Sequence, residues 1–121
     1  MQAPNSVLNQ KISRNRRFAT QQFKVERLKR VAKASHGTLN DVVLALCAGA
    51  LRRFLQEQDG LPTEPLTAML PVNIRPKDDP GGGNAVGAIL ASLATDITDP
   101  IERINTIIGS TTRAKEQLQG M

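Results

Sequence analysis

Few side chains in this 121-residue sequence could do chemistry, and each takes its meaning from its neighbours. His36 is the one histidine and stands directly before Gly37, where a helix would end. In that position a histidine interacts with the helix dipole and the last carbonyl groups, which is a structural role. Cys47 is the one cysteine, so there is neither a disulfide framework nor a Cys/His metal set, and no metal site is expected. Its place inside an apolar run predicts a buried, inert thiol. Asp78-Asp79 falls in a Gly/Pro loop and reads as a pair of solvated turn residues. Gly81-Gly82-Gly83-Asn84 could cradle an anion on backbone N–H groups, but it lacks the lysine of a phosphate loop and leads into a strand. It reads as a hairpin connection. Asn40-Asp41 is the more informative pair. Both stand in the first turn of an apolar helix, where side chains bond orphan backbone N–H groups. Capping accounts for Asp41 and leaves Asn40 as a polar group placed at the edge of a cavity.

The elements that must position these residues follow from periodicity. Residues 1–16 form an irregular basic lead-in, and 17–121 a single, partial domain. Arg17 to Phe23 is expected as a short strand. A helix follows from about Val25, with Val25, Leu28, Val31 and Ala32 at helical spacing and Gly37 as its left-handed cap. Thr38 opens the next helix, and Asp41 three residues later resembles a capping box with Asp in place of Glu. Leu39, Val42, Val43, Leu46, Ala50 and Phe54 recur at three and four, with apolar residues between them, so this helix is expected to be buried on several sides. Arg52 and Arg53 stand near its negative end, and Asp59-Gly60 closes it. Leu66, Ala68, Leu70, Val72 and Ile74 alternate as one face of a strand, in which Pro71 marks an edge or a bulge. Val86 to Ala94 is apolar on both faces and reads as an interior strand. Asp99-Pro100-Ile101-Glu102 then starts a helix with Ile101, Ile104, Ile108, Thr111 and Leu118 along one face. The fold class is α/β, a mixed sheet with helices packed on it, in the order β-α-α-β-β-α. The interior strand asks for neighbours that this chain barely supplies, which suggests part of a larger fold.

Charge is unevenly distributed. Residues 1–33 carry +8 and the remainder −3. A basic end can meet nucleic acid, anionic membrane or a phosphorylated molecule, or serve as a solvated helix face. With three Phe, no Trp and no Tyr, the core must be aliphatic, and base stacking on aromatic platforms is disfavoured. No apolar stretch approaches the ~20 residues that span a bilayer, and the first residues lack the apolar core of a signal peptide. The expected location is the cytoplasm.

Taken together, the motifs resemble a known family. Thr38-Leu39-Asn40-Asp41-Val42-Val43-Leu44-Ala45 looks like the Asn-Asp motif of bacterial wax ester synthase/diacylglycerol acyltransferases, and Gly49-Ala50-Leu51-Arg52-Arg53-Phe54-Leu55 continues the likeness. So do Leu70-Pro71-Val72-Asn73-Ile74-Arg75-Pro76 and the stretch from Gly83-Asn84 through Asp99-Pro100-Ile101-Glu102-Arg103. Ser6-Val7-Leu8-Asn9 resembles the family's Pro-Leu-Asn motif, with Val7 where the motif has proline.

The resemblance implies a chloramphenicol acetyltransferase-like fold, of which this chain is a fragment from the start of the C-terminal half. It implies transfer of a fatty acyl group from acyl-CoA, as substrate and without a bound cofactor, to a long-chain alcohol or diacylglycerol. In the family the general base is the second His of a His-His-x-x-x-Asp-Gly motif that precedes the Pro-Leu-Asn motif. His36 is followed by Gly37-Thr38-Leu39, so the catalytic group is expected in a missing N-terminal half, and none in this chain. Asn40, Asp41 and Asn9 are the candidates for substrate binding or support of the active site. The +8 segment suits the phosphates of CoA. Peripheral contact with the inner membrane or a lipid droplet, and self-association through uncovered strands, are further expectations. The alternative is a non-enzymatic basic module binding nucleic acid or anionic membrane, the nucleic-acid form being disfavoured by the missing aromatics.

Overall fold

A computed structural model of the chain describes residues 1–73 and 86–120. Three helices and two strands follow in the order α1 (Val25–Ser35), α2 (Leu39–Glu57), β1 (Thr67–Asn73), β2 (Val86–Ser92) and α3 (Pro100–Gln119). This agrees with the expected α/β class and succession of elements, except at the start. Residues 17–24 carry no strand, because no strand among the described residues pairs with them. The sheet is one antiparallel pair, in continuous register from Thr67↔Ser92 to Asn73↔Val86, so only this part of the expected mixed sheet lies in these residues.

Among the described residues both strands are therefore edges. Pro71 lies opposite Ala88 without a bulge and needs no N–H partner there. Leu66, Ala68 and Leu70 turn inward with Ile89, Ala91 and Leu93, as the alternation predicts. Met69 and Leu90 pair on the opposite, open face. Among the described residues β2 has β1 as its one strand neighbour, with α3 covering one of its faces and nothing covering the other, which fits the expectation that this chain barely supplies its neighbours.

The main core lies between α2, α3 and the inward face of the hairpin. It is built from Leu44, Leu55, Leu66, Leu93 and Ile107, with Ala48 and Ala94 filling the closest approaches. Leu55 and Ile107 are fully buried, and each contributes about 1.5–3 kcal/mol relative to exposure. A second cluster, Ala32, Val42 and Ile104, joins α1 to α2 and α3. On α3 the buried residues are Arg103, Ile104, Ile107, Ser110 and Thr111, whereas Ile101, expected on the inner face, is exposed. The helix is wedged between α2 and β2, so its buried stripe centres on Ile107.

Helix ends follow local chemistry closely. Thr38 and Asp41 form the reciprocal capping box of α2, and Asp99 accepts the Glu102 N–H at the start of α3 with Pro100 at the first position. Unlike Asp41 in α2, Glu102 makes no return bond to the N-cap N–H. α1 closes with the Gly37 N–H on Ala32 O at 2.9 Å, a geometry that places His36, not Gly37, in the left-handed region at φ 59°. Gly37 is needed for a different reason: an added Cβ would lie 2.7 Å from Ile108 Cδ1. At the other end of α2 the Gly60 N–H reaches Leu55 O, with Asp59 at φ 52°. No helix among the described residues is long and apolar enough to cross a membrane.

Candidate functional site

The start of α2 is where sequence and structure converge. The Asp41 carboxylate is 3% exposed and fully engaged. Its Oδ2 accepts the Thr38 N–H at 2.9 Å, and its Oδ1 accepts the Thr111 hydroxyl of α3 at 2.8 Å. A buried carboxylate without such partners would be very costly. Here it ties the α1–α2 turn, the first turn of α2 and the middle of α3 into one unit. Asp41 therefore holds this turn in place. Asn40 differs from it: its side chain is exposed and makes no hydrogen bond among the described residues, so the amide is free to meet another molecule.

Asn9 is not brought to this place. Its Oδ1 accepts the Ser6 N–H at 2.9 Å and closes its own turn. In that turn Val7 packs on the main core and lies against Gly60, beyond the far end of α2. The 19 residues of α2 span about 28 Å, which separates the two ends. His36 is exposed at the close of α1. Cys47, expected to be buried, is exposed on α2, because α2 is covered on one side only. Leu39, Val43, Leu46 and Phe54 are 38–45% exposed and form an apolar stripe on its open side. Among the described residues no cluster of His, Cys, Asp and Glu could hold a metal ion. Asp78-Asp79 and Gly81–Asn84 lie outside the described residues.

Two arginines that the sequence placed only at a helix end and in a motif prove structurally central. After β2 the chain turns through Ala94, which is buried with φ 50°. Arg52 donates to Thr95 O at 2.6 Å and to Thr98 Oγ1 at 3.1 Å. Arg103 donates to Ile97 O and Thr98 O, each at 2.9 Å. The Thr95 hydroxyl accepts the Leu66 N–H at 2.9 Å, completing the grip on this loop. Arg52 thus crosses to the loop and does not serve the carbonyls at the end of its own helix. Thr111 was legible only as a member of the α3 face; its hydroxyl partner could not be read from spacing.

The matches to known proteins cover both ends of the chain. The model described as the wax ester synthase/diacylglycerol acyltransferase catalytic domain matches residues 1–43, and the one described as the WS/DGAT C-terminal domain matches residues 82–121. The first match ends inside α2. A Mycobacterium tuberculosis (strain H37Rv) protein provisionally named a diacylglycerol O-acyltransferase is 54% identical over 121 residues, 100% of this chain and 24% of that protein. The O-acyltransferase WSD of Acinetobacter baylyi is 46% identical over 120 residues, 99% of this chain and 26% of its own length. The solved wax ester synthase/diacylglycerol acyltransferase from Marinobacter aquaeolei VT8 superposes with a TM-score of 0.81 at 42% identity, covering 95% of this chain and 26% of that one. The chain spans about a quarter of the length of the relatives it matches.

Proposed function

Because the chain belongs to the wax ester synthase/diacylglycerol acyltransferase family, we propose that it forms part of an enzyme moving a fatty acyl group from acyl-CoA to a long-chain alcohol or diacylglycerol. The observation that carries this reading is identity of 54% sustained along the whole chain. In the reaction the acceptor hydroxyl attacks the thioester carbonyl carbon. A C–O bond forms, the C–S bond breaks, and the acceptor's proton passes through a base to the departing CoA thiolate. A positioned base is worth about 10²–10⁴-fold, and donors to the developing oxyanion add to it. His36, exposed and capping a helix, is poorly placed to be that base. The reading therefore assigns it to an N-terminal half.

Asn40 is the residue proposed to reach the reacting groups, since its amide is free and Asp41 fixes the turn that carries it. Asn9 is assigned to the entry side of the same domain, away from Asn40. Leu39, Val43 and Phe54, exposed on the open side of α2, form the surface proposed to receive the N-terminal half. The basic segment 1–33, with Ile12 and Phe18 exposed among its cations, suits the cytoplasmic face of a membrane.

The test is an assay of the chain with palmitoyl-CoA and hexadecanol, alone and mixed with an N-terminal half bearing His-His-x-x-x-Asp-Gly together with the remainder of a C-terminal half, since the chain spans about a quarter of the length of its relatives. The chain alone should release no CoA, and the mixture should turn over. Sustained CoA release by the chain alone overturns the assignment of the base to another segment. Absence of turnover in a mixture that forms a complex overturns the acyl-transfer reading.

A further inference from the structure

Arg103 presents a problem that acyl transfer does not address. It is 9% exposed, and the one ion pair among the described residues, Arg53–Glu57, does not include it. Two of its nitrogens, Nε and Nη2, are satisfied by loop carbonyls, while Nη1 has no acceptor among the described residues. That nitrogen lies beside Gly49, where an added Cβ would stand 3.4 Å away. A buried cation of this kind is costly unless a counter-charge reaches it.

Gly49 and Arg103 both line a groove of about 970 Å³ between α1, α2 and the first turn of α3. Arg27 and Arg53 line it too, so its charged side chains are all cationic. The walls are aliphatic, with Val31 of α1, Ala45 and Leu46 of α2 and Ile104 of α3, and Phe23 is the one aromatic ring. Cationic groups set among aliphatic walls call for an anion carrying a flexible hydrocarbon. It offers little to a planar aromatic ligand, which would ask for rings to stack on. One free N–H edge on Arg103 suits a singly charged head group.

We propose that this groove binds a long-chain fatty acid, its carboxylate on Arg103 Nη1 and its tail along Val31, Leu46 and Ile104. The inference rests on these residues and does not require acyl transfer to occur.

Dodecanoate, below its micelle concentration, is the soluble probe, titrated calorimetrically into the 121-residue chain beside dodecanol and dodecyltrimethylammonium. Dodecanoate should bind one to one and about tenfold tighter than dodecanol, the value of a charge-assisted hydrogen bond. The cationic amphiphile should not bind. Leu46→Glu should abolish binding without hollowing the core, since Leu46 is 38% exposed. Arg103→Met should reduce dodecanoate to the affinity of dodecanol; if that variant does not fold, the head-group comparison and Leu46→Glu decide. Equal affinity for dodecanoate and dodecanol, unsaturable uptake, or unchanged binding in Leu46→Glu overturns the proposal. No acyl donor is present, so failure here leaves the acyl-transfer reading intact.

Discussion

Asp41 and Asn40 are neighbours with opposite fates, and the difference is set by helix geometry. One turns into the bundle and the other away from it. Asp41 depends on Thr111, which lies 70 residues away in sequence. Replacing that hydroxyl by a methyl in Thr111→Val leaves Oδ1 of a buried carboxylate without its donor. The expected loss is about 1–3 kcal/mol in urea unfolding, with Thr111→Ser retaining most of the stability. Asn40→Ala should leave unfolding within about 0.5 kcal/mol, because the side chain is exposed and unbonded. In an enzyme reassembled with an N-terminal half, the same change should lower kcat by roughly 10²-fold if the amide meets the oxyanion. Unaltered kcat would remove Asn40 from the site. The capping role of Asp41 was legible because a cap is a bond between residues three apart. The Thr111 bond was not, because nothing in local spacing records a partner on another helix.

At the level of elements, the close approach of the α1–α2 turn to α3 rests on the missing side chain of Gly37. Gly37→Ala should destabilise by about 1–3 kcal/mol through overlap with Ile108, the usual range for overpacking. Ile108→Ala removes both Cδ1 and Cγ1, the two atoms an added Cβ would overlap, so the double variant should be more stable than the sum of the single effects predicts, read as a non-additive cycle. Additive losses would show that the strain lies elsewhere. Helices, strands and their ends were readable from periodicity and caps, since those depend on residues a few positions apart. The face of α3 was read incorrectly at Ile101. Its orientation is decided by packing against α2 and β2 together and by loop carbonyls that draw Arg103 inward. The strand expected at 17–23 failed for a related reason, since a strand exists only with a partner.

For the molecule as a whole, the open stripe of α2 is the feature that ties fold to proposed function. Phe54→Glu places a charge where that stripe would meet another half. Stability of the chain alone should fall by about 1 kcal/mol, since about half of the Phe54 surface is covered, while reconstituted turnover should fall at least about tenfold because a charge would be buried unpaired. Retained turnover would move the docking surface away from α2. The loop gripped by Arg52 and Arg103 has a different consequence, one of ionic strength. Those cations meet carbonyl and hydroxyl oxygens, and the one ion pair among the described residues is exposed, at 84% and 62%. Dissolved salt screens exposed charges over about 8–10 Å and reaches buried dipoles far less. With a net charge of +5 repelling itself, the melting temperature should hold or rise as salt goes from about 0.05 to about 1 M. A fold fastened by guanidinium-to-backbone bonds in this way is indifferent to brine, and calorimetry across a salt series would show a flat or climbing line.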